Sequence, residues 1–218
     1  MSIITIERKV LEKNDEQARH NRDLFTLYQN FVINLVSSPG SGKTSLLEAT
    51  LAAIKSKISV AVIEGDVQTD LDARRIEKLD VPVVQIVTNG GCHLEARLVN
   101  DAMQALDLAR TELLIIENVG NLVCPANYDL GEAQKVVVLS VTEGDDKPLK
   151  YPAMFRNASV LIVNKIDLLP YVDSTIETLK QNALSINPNL TIFELSCKTG
   201  EGIERWCDWL RAQSGSRG

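Results

Sequence analysis

The segment Ser37-Ser38-Pro39-Gly40-Ser41-Gly42-Lys43-Thr44 carries the clearest chemistry in the chain. Small residues let successive backbone N–H groups converge on phosphate oxygens, and a helix starting directly after them adds its positive end. In such a loop Lys43 reaches the β- and γ-phosphates and the Thr44 hydroxyl ligates Mg²⁺. Gly40, Ser41, Gly42 and Ser45 complete the cradle. The strict motif opens on glycine and this chain has Ser37 there, so the reading leans on context: an apolar strand before the loop and a helix after it. Far downstream, Val160–Val163 runs into Asn164-Lys165-Ile166-Asp167. A carboxylate such as Asp167 accepts from guanine N1–H and from the exocyclic amine. Adenine lacks that donor pair and would strand the carboxylate, which is how a polar site discriminates. Asn164 would tie the loops together, the Lys165 stem would lie over the base, and Ser196-Cys197-Lys198 would approach the guanine carbonyl. Both motifs in this order predict GTP rather than ATP.

Acidic residues stand at two further strand ends. Ser59–Ile63 leads into Glu64-Gly65-Asp66, with Asp70 and Asp72 beyond. Asp66, and after it Asp72, is placed to hold or orient Mg²⁺, while Asp70 suits a helix cap. Leu113–Ile116 leads into Glu117-Asn118-Val119-Gly120. Here Glu117 would position water and the Gly120 N–H would sense the γ-phosphate. The blander reading of each acid is a cap or a solvated loop. No arginine stands out as a catalytic finger, which predicts slow intrinsic hydrolysis that a partner or second subunit completes.

Cys92, His93 and Cys124 form a third group. All follow strands that, if parallel, end at the same sheet edge as the nucleotide. Two thiolates and an imidazole are a soft set suited to a transition metal. Three ligands leave a shell incomplete, and two copies across a two-fold axis would complete it. The spacing has no metal-finger signature, so inert cysteines and a helix-start histidine remain an open alternative. Cys197 and Cys207 read as structural.

The elements that must position these groups are strands at Phe31–Val36, Ser59–Ile63, Val83–Val87, Leu113–Ile116, Lys135–Val141, Val160–Val163 and Thr191–Leu195. Helical stretches fall at Lys43–Ile54, Asp70–Leu79, Cys92–Leu108, Ser174–Ile186 and Ile203–Ala212. The strands are apolar throughout rather than alternating, which suits a parallel sheet covered on both faces. The expectation is a doubly wound α/β P-loop domain over 31–218, behind an N-terminal helical arm over 1–30 whose helix runs from Val10 to Asn30. Gln213–Gly218 reads as a frayed tail. The 218 residues are 44% hydrophobic and 24% charged with net charge −6. Such an acidic chain is poorly suited to coating nucleic acid. No apolar run spans a bilayer and the N-terminus lacks a signal core. A cytoplasmic, reducing setting is the expectation.

The loops SSPGSGKTS, TNGGCHLEARLV, ENVGNLVCPANYDLGE, TEGDDKPLKYP and NKIDLL together resemble the hydrogenase-maturation nickel-insertion GTPases, the HypB family of the SIMIBI class. The resemblance spans about Val10 to Leu210. It implies a GTPase that dimerises on binding GTP and assists nickel insertion into the large subunit of [NiFe]-hydrogenase, with a HypA-type zinc- and nickel-binding partner. It also implies an intersubunit nickel or zinc site at Cys92, His93 and Cys124, and a Lys150 that reaches the other subunit's nucleotide. The related urease GTPases carry Cys-Pro-His, whereas Cys124-Pro125 is followed here by Ala126. The chain lacks the cysteine cluster and the histidine-rich tract of some members. A regulatory GTPase without metal is the remaining alternative.

Overall fold

The computed structural model describes the backbone of residues 6–68 and 71–215, with side chains over 10–68 and 73–215. Seven strands, β1 (Phe31–Ser37), β2 (Val60–Asp66), β3 (Val83–Val87), β4 (Leu113–Glu117), β5 (Gln134–Ser140), β6 (Val160–Asn164) and β7 (Thr191–Glu194), form one sheet. Their order is β3-β2-β4-β1-β5-β6-β7, and every pairing is parallel. Period-two alternation splits β1 between the two faces. Phe31, Ile33 and Leu35 pack with α2 (Lys43–Ile54), α3 (Leu71–Glu77) and α8 (Ile203–Gly215). Val32 and Val36 face the opposite layer of α1 (Ile6–Leu27), α4 (Ala96–Met103), α6 (Pro152–Asn157) and α7 (Ile176–Ile186). The near-continuous apolar strands are thus explained by burial on both sides. The first face is closed by Trp206, whose ring meets Phe193 edge-on and whose Nε1–H donates to Thr50 Oγ1 at 3.0 Å.

Several boundaries differ from expectation. The helix expected over Cys92–Leu108 is confined to Ala96–Met103, so Cys92 and His93 lie in a turn ahead of it. The N–H groups of Leu94 and Ala96 go to the side chains of Asn118 (3.1 Å) and Asn14 (2.9 Å), and those distant acceptors replace a helical start. A residue far away in sequence therefore caps α4. The arm helix begins earlier than Val10. The tail expected at Gln213 stays helical to Gly215, where the Ser214 hydroxyl donates to the Leu210 carbonyl at 3.0 Å. The TEGDDKPLKYP segment, expected between elements, holds a 3₁₀ turn at Val141–Glu143, then α5 (Lys147–Lys150) and the start of α6.

Candidate functional site

The phosphate loop joins β1 to α2. Ser37 ends β1 in extended backbone and is fully buried. A serine is tolerated there because that position needs no left-handed geometry. Gly42 does need it: φ is +95° and a Cβ would lie 2.5 Å from Asn164 Nδ2. Gly40, Gly42, Lys43, Thr44 and Ser45 line a cavity of about 430 Å³ together with Glu64, Asp66, Glu117 and Gly120. Thr44 Oγ1 donates to Glu117 Oε1 at 2.8 Å, and Lys43 Nζ lies 3.8 Å from the same oxygen. Asp66 faces this cavity too, with its Oδ1 accepting the Gln68 N–H at 2.9 Å. Asp70 and the Asp72 side chain lie outside the described residues.

Two groups at this cavity, Glu64 and Arg75, and a third that braces the phosphate loop, Glu143, were not singled out from sequence. Glu64 is as buried as Glu117 and is its register partner across β2 and β4. Arg75 reaches the cavity from α3, its guanidinium bonded twice to Glu48 at 2.9 and 2.6 Å. This arginine is in cis, with its guanidinium held by Glu48. Glu143 Oε1 accepts the Ser41 hydroxyl (2.6 Å) and the Ser140 N–H (2.8 Å), tying the phosphate loop to the end of β5.

A second cavity of about 300 Å³ adjoins the loop and is lined by Ser45, Asn164, Lys165, Asp167, Cys197 and Lys198. Asn164 donates from Nδ2 to the Ser41 carbonyl at 2.9 Å, and its Oδ1 accepts from Lys165 N–H and Cys197 N–H. Lys165 adopts left-handed backbone, φ 63°, and its Nζ reaches the Gly40 carbonyl at 2.7 Å. Ser196 Oγ donates to Asp167 Oδ1 at 2.6 Å and accepts from the N–H groups of Lys198 and Thr199. The Cys197 thiol is pushed up to about 11 by burial, so it is a neutral lining group. Lys150 lines neither cavity. It is exposed and paired with Asp146 at 2.6 Å, which raises its pKa.

The donor atoms of Cys92, His93 and Cys124 lie within 4.8 Å of one another. The structure joins Cys92 to Cys124 as a disulfide with Cα atoms 6.1 Å apart, a bond that the expectation of a reducing setting did not anticipate. A disulfide and a metal compete for the same sulphurs, so this trio could hold a metal only when reduced. His93 lies against the Tyr128 ring with centroids 3.8 Å apart and the planes tilted by 38°, and its Nδ1 lies 3.6 Å from Cys92 Sγ. Burial lowers the His93 pKa against the pull of Glu95, favouring the neutral imidazole that metals take. Its buried Nε2 has no hydrogen-bond partner among the described residues. Cys124 opens a 3₁₀ turn to Asn127. Asn121 accepts the Cys124 N–H and donates to its sulphur at 3.4 Å. Lys135 Nζ, also buried, donates to the carbonyls of Pro125, Ala126 and Tyr128 and lies 3.7 Å from Glu132.

Among the described residues no helix is long and apolar enough to cross a membrane. Residues 31–194 match the nucleotide-binding domain family CobW/HypB/UreG. The hydrogenase maturation factor HypB of Azotobacter vinelandii is 52% identical over 99% of this chain and 71% of its own length. The crystal structure of HypB from Helicobacter pylori in complex with nickel superimposes with a TM-score of 0.89 at 39% identity, covering 94% of this chain and 96% of that one. The HypB structure from Archaeoglobus fulgidus gives 0.87 at 37% identity, over 93% and 99%. The chain belongs to the HypB hydrogenase maturation factors, a branch of the CobW/HypB/UreG nucleotide-binding family with the SIMIBI type of P-loop fold.

Proposed function

We propose that this chain is a GTP-hydrolysing metallochaperone that delivers nickel during assembly of [NiFe]-hydrogenase. The observation that carries this reading is the single stretch from Glu117 to Cys124. It starts at a carboxylate bonded to Thr44 and ends at a sulphur grouped with Cys92 and His93.

In this reading the Gly40–Ser45 backbone and Lys43 hold the phosphates, and Asn164, Lys165 and Asp167 select guanine, with Ser196, Cys197 and Lys198 closing the base pocket. The hard oxygen donors of Thr44 and Asp66 suit Mg²⁺, which when bound neutralises charge on the β- and γ-phosphates. Glu117 orients the attacking water. The water's oxygen bonds to the γ-phosphorus as the bond from that phosphorus to the β–γ bridging oxygen breaks, and the water's proton passes to the released phosphate, leaving GDP and inorganic phosphate. The Gly120 N–H registers whether the γ-phosphate is present, and Asp72 is a second acid on that side.

GTP closes a homodimer in which Lys150 of each chain reaches the other's nucleotide. Cys92, His93 and Cys124 of two reduced chains then face each other around nickel or zinc. A HypA-type protein exchanges nickel with this site, and the hydrogenase large subunit receives it. The test is equilibrium nickel binding in reductant, with GDP and with a non-hydrolysable GTP analogue, read as metal per chain beside oligomer mass. Nickel near one per dimer or more, with affinity that depends on nucleotide, supports the reading. Nickel binding that is absent or indifferent to nucleotide refutes it.

A further inference from the structure

Each metal-bearing segment is held by hydrogen-bonded anchors of two kinds. On the far side the anchor is the arm helix α1. Asn14 Oδ1 accepts the Ala96 N–H (2.9 Å) and its Nδ2 donates to the Asp129 carbonyl (2.8 Å). Asn21 Nδ2 donates to the carbonyls of Ala96 (2.8 Å) and Leu130 (3.0 Å). Arg22 adds two bonds to the Asp129 carboxylate at 2.8 and 2.7 Å. Ala96 lies just past His93, and Asp129 and Leu130 lie just past Cys124. One helix thus fixes both segments beyond their ligands. Both asparagines are buried on a helix whose Ala18 and Phe25 are also buried, so these anchors move only if α1 leaves the body.

On the near side the anchor is the nucleotide-facing loop. Asn118 lines the phosphate cavity and directly follows Glu117. Its Oδ1 accepts the N–H of Leu94, the residue after His93, at 3.1 Å, and also its neighbour Val119 N–H at 2.9 Å. Its Nδ2 donates to Asn34 Oδ1 on β1 at 3.2 Å, which fixes the amide's orientation so that the oxygen faces Leu94. Asn121, three residues on, holds Cys124 in the same way. A buried N–H that loses its acceptor is left unsatisfied at a cost, so Leu94 follows Asn118 when the loop shifts.

We infer that Asn118 is the positioning residue that carries the nucleotide state to the Cys92–His93 half of the metal site, while α1, through Asn14 and Asn21, holds the far ends of both halves still. This rests on the nucleotide-linked nickel reading and names the part that makes the link.

The test is a linkage measurement on the full chain in a reductant that does not bind metal. Nickel dissociation constants are taken by competition with a chromophoric chelator, with GDP and with the GTP analogue, for wild type, Asn118→Ala and Asn14→Ala. Coupled sites typically differ by ~5–150-fold. The Asn118→Ala ratio is expected to fall toward one. Asn14→Ala is expected to weaken nickel in both nucleotide states while keeping the wild-type ratio, and to leave GTP turnover without nickel unchanged. Nucleotide affinity with and without nickel must change by the same factor in each protein. A merely structural Asn118 would shift both affinities together and keep the ratio, which overturns the inference alone. A wild-type ratio of one overturns the nucleotide-linked reading, and the inference with it. Should Asn118→Ala not fold, Asn121→Ala, at a half-exposed turn, probes the Cys124 half. Its ratio is expected to fall, and a full wild-type ratio there refutes transmission through this loop.

Discussion

Replacing Asp167 with asparagine is expected to exchange guanine for xanthine selectivity, and the local hydrogen bonds determine which way the new amide points. The Ser196 hydroxyl accepts two backbone N–H bonds, which aims its proton at Asp167 Oδ1, 2.6 Å away. In Asp167→Asn that proton still needs an acceptor, so the amide oxygen stays on Ser196 and the NH₂ turns to the base. A donor then meets the guanine N1–H and amine, where a charged acceptor stood. Each hydrogen bond to a charged group contributes about 1.5–3 kcal/mol, so losing two costs roughly 3–6 kcal/mol, or about 10²–10⁴-fold in affinity. Xanthine places a carbonyl where guanine has its amine and gains the bond that guanine loses. The assay is calorimetric titration with GDP and XDP beside a thermal melt to verify the fold. Adding Ser196→Ala frees the amide to flip and should recover about tenfold for GDP, one neutral bond's worth. A GDP loss below tenfold in Asp167→Asn, or no gain for XDP, refutes both the base assignment and the role given to Ser196.

Gly42→Ala places a Cβ 2.5 Å from Asn164 Nδ2 at φ +95°. The left-handed backbone costs about 1–2 kcal/mol and the displaced amide loosens the base loop, so nucleotide affinity should fall at least tenfold by fluorescent displacement. Lys135→Met removes the donor to three carbonyls and strips Glu132 of its buried partner. Urea unfolding should show a loss of about 3–5 kcal/mol, against about 0–1 kcal/mol for Lys180→Met, whose pair with Glu194 is more exposed. Burial depresses the His93 pKa below the ordinary value of 6.5, so from about 6.5 downward the unfolded chain binds more protons than the folded one. Stability is then fully present above that value and is lost as pH falls toward the folded pKa. Melting temperatures between about pH 5 and 7.5 should have a shallower acid limb in His93→Gln, and an unchanged limb contradicts this.

Legibility from sequence followed contact range. The phosphate loop and the Asn164–Asp167 loop are local motifs, each fixed by the strand before it, so residue types and order suffice to find them. The parallel sheet followed from the apolar runs for the same reason. Glu143 was also readable, because Ser140-Val141-Thr142-Glu143 has the capping-box pattern and forms one. Glu64 was passed over in favour of Asp66, two residues on, since sequence alone does not say which acid of a strand end is buried. The helix over Cys92–Leu108 was overextended because its expected first donors are satisfied by asparagines 24 and 82 residues away in sequence. Asn14 and Asn21 look like solvent-facing residues of a polar helix, and only their partners, 75 to 115 residues away, reveal them as buried anchors. Cys92 and Cys124 were legible as neighbours because both follow strands ending at one sheet edge, but their joining as a disulfide was not, because pairing across 32 residues leaves no spacing signature.

The strand order assigns the chemistry to positions across the sheet. Thr88 to His93 follow β3, the acids Glu64 and Asp66 end β2, Glu117 ends β4, the phosphate loop follows β1, Glu143 follows β5, and the base loops follow β6 and β7. Neighbouring strands lie about 4.8 Å apart, so β3 and β7 are separated by roughly 29 Å. The Cys92–His93–Cys124 group and the Asn164–Asp167 loop therefore lie on opposite flanks, with the phosphate loop between them. β3 is tied to β2 by the Thr88 N–H, which donates to the Asp66 carbonyl at 2.9 Å. Beyond β4 the chain turns back over that flank, so residues 117–124 touch the phosphate cavity at one end and the sulphurs at the other. Among the described residues the base-loop side chains make no bond to Cys92, His93 or Cys124, and their links run instead to the phosphate loop through Asn164 and Lys165. The proposed function thus makes choice of base and response of the metal site separable properties. On the function proposed above, the first is set by Asp167 and Ser196, and the second by whether a γ-phosphate moves the loop that begins at Glu117, whichever base is attached to it.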